Sequence, residues 1–175
     1  MKKESFTLVE VLISATILTI IATALLTVLI VADMSWRSDM GLLELQQQTR
    51  QSLYAMVREM REIDGSINLP TSDDIRFSII DDITNTTPPY PTYSLRYFLD
   101  STNDRVIRET PVGTNCEVGW NSNNCKVLAN DITGLRFQCL GGCANPKGVQ
   151  VDINATKNVR GRTFTFNLTE QITIR

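Results

Sequence analysis

Hydrophobic positions along this chain follow three successive patterns. From Val11 to Ala32 the chain has no charged residue, proline or glycine. From Leu42 to Ile63 the apolar residues recur at steps of three and four, and after Gly65 they alternate. The first pattern is long enough to cross a bilayer, which takes about 20 apolar residues in a helix. A lone segment in hydrocarbon must be helical, because no other partner satisfies its backbone groups. In the second pattern Leu42, Leu45, Thr49, Leu53, Met56, Val57, Met60 and Ile63 fall within about 120° on a helical wheel. Glu44, Gln47, Gln48, Gln51, Arg58 and Glu62 lie opposite them. Nothing in the polar stretch Asp33 to Asp39 breaks a helix, so one helix is predicted from Phe6 to Asp64, about 90 Å long at 1.5 Å per residue. Gly65 is its expected stop. Gly41 reads either as a bend or as a tolerated exposed glycine, since glycine costs about 1 kcal/mol in a helix interior.

Beyond Gly65 the alternation predicts strands at Ile75–Ile80, Thr92–Asp100, Arg105–Thr110, Lys126–Ala129, Gly134–Leu140 and Val149–Ala155. A last strand is carried by Phe164, Phe166, Leu168, Ile172 and Ile174. Ser101-Thr102-Asn103-Asp104 reads as a hairpin turn, and Pro88, Pro89 and Pro91 mark a loop. The expected fold is α+β: an antiparallel sheet with one apolar face, covered by the amphipathic half of the helix.

The exception in the apolar run is Glu10, an ionisable side chain that is costly in hydrocarbon unless paired, and so marks a functional site. Within the run Thr16, Thr19, Thr23 and Thr27 share one helix face. They read either as a packing surface for a second helix or as hydroxyls bonded back to their own helix. A secretory signal would have a shorter apolar core, of about 7–15 residues. A plain single-pass anchor explains the length of the run but not Glu10.

Charge and composition narrow the function. The net charge of −2 leaves no basic footprint for nucleic acid. Lys2 and Lys3 before the apolar run place the N-terminus on the cytoplasmic side and the remainder outside. The chain has no histidine, which removes imidazole bases, His-based triads and His-ligated zinc. No phosphate-binding glycine loop is present, and no cofactor or catalytic residue is expected. Cys116, Cys125, Cys139 and Cys143 all fall in the outer part, where an even count reads as two disulfides. Proximity favours Cys116 with Cys125 and Cys139 with Cys143, among three pairings. A four-cysteine zinc site lacks its usual spacing. Asp73-Asp74 and Asp81-Asp82 are candidate calcium ligands, with solvated loop acids as the alternative. Trp120 is either an exposed recognition residue or the anchor of its loop.

Phe6-Thr7-Leu8-Val9-Glu10-Val11-Leu12-Ile13 resembles the processing and assembly motif of type IV pilins and type II secretion pseudopilins. The resemblance implies a leader over 1–5, an assembly helix over 6–32, its amphipathic continuation over 33–64 and a globular head over 65–175. It also implies cleavage by a prepilin peptidase between Ser5 and Phe6, N-methylation of Phe6, and a role for Glu10 in assembly through a neighbour's free N-terminus. The family carries Gly immediately before the cut, where this chain has Ser5. The expected partners are other pilin or pseudopilin subunits, the peptidase and an assembly platform in the bacterial inner membrane, with the head outside. Ser52 to Ile63, Leu128 to Phe137 and Arg162 to Arg175 resemble J-type minor pseudopilins and related minor pilins more narrowly. The reading from a different class is a membrane-tethered outer domain, binding or enzymatic, for which the helix is only an anchor.

Overall fold

The structure is a computed structural model that describes residues 7–63, 65–80, 92–113, 116 and 124–174. Ser5 and Phe6, Asp81-Asp82, the three-proline loop and Trp120 lie outside the described residues. The chain divides into two compact units, Met1–Met40 and Gly41–Arg175.

Helix α1 runs from Leu8 to Met60 without interruption. It ends four residues earlier than the spacing predicts. Arg61 and Glu62 form a turn, Ile63 makes an isolated antiparallel bridge to Ile79, and Gly65 takes a positive φ of 90° beyond it. Ile63 is therefore drawn into strand geometry, and the helix stops before the glycine that would ordinarily cap it. The predicted stripe is the buried one: Leu45, Thr49, Leu53, Met56, Val57 and Met60 are all buried. The Thr49 hydroxyl donates to the Leu45 carbonyl at 2.7 Å, so its burial leaves no polar group unpaired.

Gly41 lies inside the continuous helix and does not face solvent freely. A Cβ placed on it would lie 2.8 Å from Cγ2 of Val159. Glycine is needed there because a strand end packs directly on the helix backbone.

The strands form two sheets, where the alternation alone suggests one. Strands β1 (Asn68–Thr71), β2 (Asp74–Ile80), β3 (Thr92–Asp100), β4 (Arg105–Glu109) and β5 (Cys125–Ala129) make an antiparallel five-stranded meander in sequence order. β6 (Ile132–Leu140), β7 (Gly148–Val159) and β8 (Arg162–Thr173) make a second, three-stranded one. β5 and β6 are separated only by Asn130 and Asp131, a spacing that normally closes a hairpin. Here Asp131 takes φ 61°, and the Ile132 N–H donates to the Asp104 carbonyl at 2.9 Å in the β3–β4 turn. The chain thus leaves the first sheet instead of folding back on it. The Phe137 N–H donates to the Ser72 carbonyl at 2.6 Å, holding β6 beside the first sheet.

One core joins α1 to both sheets. Ile75, Phe77, Ile79, Leu95, Tyr97 and Val106 enter it from the first sheet, and Leu135, Phe137, Val149, Val151, Ile153 and Ile172 from the second. The opposite face of the first sheet carries a smaller cluster of Phe98, Ile107, Cys116 and Cys125. Phe164, Phe166 and Leu168 are only half-buried, because β8 is the outer strand of its sheet and its inner face is incompletely covered.

Candidate functional site

The residues with a functional reading fall on the N-terminal helix and on polar clusters of the head. Every residue from 7 to 37 is exposed, including Leu8, Val11, Leu12, Ile17, Leu25 and Leu29. An uncovered apolar surface of that size is unstable in water and marks a lipid or protein contact. By length and composition this helix is apolar enough to cross a membrane.

Glu10 already has partners within its own chain. Its Oε2 accepts hydrogen bonds from the Thr7 N–H and the Thr7 hydroxyl, both at 3.1 Å, while the Thr7 Oγ1 accepts from the Glu10 N–H at 3.3 Å. This reciprocal pair is a capping box, which satisfies N–H groups that the first helical turn leaves orphaned. The signal for it is the spacing Thr7-x-x-Glu10 before an apolar run. Reasoning from the membrane cost of a lone acid passes over it.

The threonine face also turns inward on itself. Thr16 donates to the Ile13 carbonyl and Thr19 to that of Thr16, each at 2.8 Å. Thr23 donates to Ile20 at 2.9 Å and Thr27 to Thr23 at 2.8 Å. All four hydroxyl donors are used within the helix, so what this face offers another helix is a low profile rather than hydrogen bonds.

The cysteines form two disulfides, Cys116–Cys125 and Cys139–Cys143. The first roofs Phe98 and Ile107. The second closes the turn between β6 and β7, where the Cys143 carbonyl accepts from the Ile67 N–H at 2.9 Å.

Two charged clusters in the head escape a reading by periodicity. On the outer face of the first sheet, Arg96 donates to Asp74 at 2.9 Å and to Glu109 at 3.1 Å, and its guanidinium stacks 4.0 Å over Phe98. Arg76 adds a second bond to Asp74 at 2.8 Å. Burial works against the Asp74 charge, but the bonds from Arg76 and Arg96 outweigh it and hold its pKa below the ordinary carboxylate value. Glu109 is fully buried and also accepts from the Gly113 N–H at 2.9 Å. On the inner face, Glu59 of α1 accepts from the Tyr97 hydroxyl and from Arg108 at 3.0 Å. Burial, then the bond to Glu59, pushes the Tyr97 pKa well above its usual value.

Of the candidate calcium ligands, Asp74 is occupied by two arginines. Among the described residues no group of three or more acids and cysteines is arranged to hold a metal.

An uncovered apolar helix ahead of an α+β head fits a single-pass membrane-anchored protein. More narrowly, residues 1–26 match the family model of the prokaryotic N-terminal methylation motif, which supports the type IV pilin and pseudopilin reading and a pilin-like structural role. No curated protein and no solved structure matches the chain.

Proposed function

We propose that the chain is a minor subunit of a type II secretion pseudopilus or type IV pilus, of the J-type or a related minor pilin. The observation that carries this reading is the methylation motif over 1–26, leading into a helix whose apolar residues are all exposed from Leu8 to Met34. In this reading residues 6–32 hold the subunit in the inner membrane, with the head on the far side. A prepilin peptidase cuts between Ser5 and Phe6, Phe6 is N-methylated, and the helix moves from lipid into a bundle of pilin or pseudopilin subunits at an assembly platform. The new amine of Phe6 on one subunit faces Glu10 of its neighbour. Opposite charges in low dielectric attract strongly, and the pair sets the axial stagger. Thr16, Thr19, Thr23 and Thr27 allow the close approach of helices.

The rival is an anchored outer domain in which Glu10 serves only as the helix cap, a role the Thr7 contacts favour. Glu10→Gln separates the two, because glutamine keeps the capping box and removes the charge. The filament reading expects mass spectrometry to find N-methyl-Phe6 as the first residue, and expects the E10Q subunit to insert but fail to co-assemble. A mature chain starting at Met1 supports the anchor, and normal assembly of E10Q overturns the pairing of the Phe6 amine with Glu10.

A further inference from the structure

Strand β8 is the outer strand of its sheet, and an open groove of about 540 Å³ lies between α1 and the β8 residues Leu168 and Glu170. Leu53 and Val57 of α1 and Leu168 of β8 form its apolar floor, and Tyr54, largely exposed, stands beside them. Arg50, Arg58 and Arg61 rim it, with Glu62 and Glu170. Among the described residues these three guanidiniums make no ion pair; Arg50 only lies 5.8 Å from the Phe166 ring.

Among the described residues no strand pairs with the outer edge of β8. β8 is paired with β7 through twelve residue pairs, from Gly148↔Thr173 to Val159↔Arg162, without a bulge. It contains no proline. Proteins normally blunt so long and regular an edge with bulges, prolines or a covering segment, because its free N–H and C=O groups template a further strand.

We propose that this edge and groove take an extended acidic segment of a partner protein, added to the sheet as a fourth strand. Geometry and charge select the ligand. Arg50 and Arg58 are eight helical residues apart, about 12 Å at 1.5 Å per residue. Side chains on one face of a strand repeat about every 6.8 Å, so carboxylates four residues apart lie about 13.6 Å from each other and reach both arginines. An apolar residue midway falls over Leu53 and Val57. A second copy of β8 offers only Glu170 to three guanidiniums, which disfavours self-pairing. The inference concerns the head alone and does not depend on filament assembly.

The test uses the full chain in non-ionic detergent and a fluorescent capped peptide, Thr-Glu-Thr-Val-Thr-Glu-Thr, read by anisotropy. The spacing of its carboxylates is the same in either direction, so it fits a parallel or an antiparallel strand. Saturable binding is expected, with at least tenfold weaker affinity for Thr-Lys-Thr-Val-Thr-Lys-Thr. Arg50→Glu with Arg58→Glu, both exposed, is expected to weaken the glutamate peptide at least tenfold while the melting midpoint holds. Of two peptides N-methylated at alternate residues, the one blocked on the side facing β8 is expected to lose binding at least tenfold. Absence of saturable binding overturns the proposal, as does equal binding of the lysine peptide or undiminished binding by the double variant. Parental affinity in both methylated peptides overturns the strand pairing. A dimer that the double variant abolishes replaces the acidic partner with a second copy.

Discussion

The hydroxyl of Tyr97 donates to the carboxylate of Glu59, joining the centre of the first sheet to the last turn of α1. Arg108 on the adjacent strand binds the same carboxylate through its Nε, at 3.2 Å to Oε1 and 3.0 Å to Oε2. The acid is thus shared between two strands, and a buried phenol gains the acceptor it needs.

This arrangement and the Asp74 cluster set how stability changes with pH. The Tyr97 pKa is raised in the folded state, so its contribution is complete below the ordinary phenol value of 10.0 and is lost as pH rises above it. The Asp74 pKa is lowered, so its contribution is complete above the ordinary value of 3.8 and is lost as pH falls through the lower folded value. Asp100, bonded to Arg105, acts in the same direction. Thermal melts across pH are expected to show a plateau between these limits. Tyr97→Phe should lower the plateau by about 1 kcal/mol and flatten the alkaline fall. An alkaline limb as steep in Y97F as in the parent would show that Tyr97 does not cause it.

Gly41 provides a test of packing against propensity. Alanine is favoured over glycine by about 1 kcal/mol in a helix interior, yet its methyl would meet Val159 at 2.8 Å. Gly41→Ala alone is expected to leave the melting midpoint no higher than the parent's. Combined with Val159→Ala, which removes the obstructing methyls, G41A is expected to stabilise relative to V159A by about 1 kcal/mol. A double-mutant cycle measures the coupling. Full stabilisation by G41A alone would mean that the strand end yields freely.

Arg96 holds two carboxylates, one of them fully buried. Its replacement by methionine leaves the buried Glu109 without its arginine partner, so a loss of about 3–5 kcal/mol is expected. Adding Glu109→Gln to R96M should recover part of that loss, because a neutral amide is less costly to bury without an arginine than an acid. Denaturation midpoints of the two variants decide it, and an additive double variant would exclude the ionic coupling.

What the sequence made legible follows from period. Leu45, Leu53, Met56 and Met60 announced a covered helix face because burial against sheets demands that spacing. β3, β4 and the turn between them were equally plain. Glu59 was not, since its partners Tyr97 and Arg108 are 38 and 49 residues away and no local pattern links them. The division into two sheets was hidden for a similar reason. It turns on the backbone of Asp131 and on one bond from Ile132 to Asp104, while the alternation of β5 and β6 is the same in either arrangement. Gly41 was visible as an anomaly, but its cause, Val159, lies at the far end of β7. At the candidate assembly site the residue Glu10 stood out, and its bond to Thr7 required the further step of reading the pair as a cap.

That cap engages one oxygen of Glu10 and leaves the other open. Both bonds from Thr7 end on Oε2, whereas a carboxylate offers two oxygens and about four acceptor sites. A cation arriving at Oε1 would add to the first helical turn without undoing it, so start-of-helix geometry and an ionic contact are compatible in the same side chain.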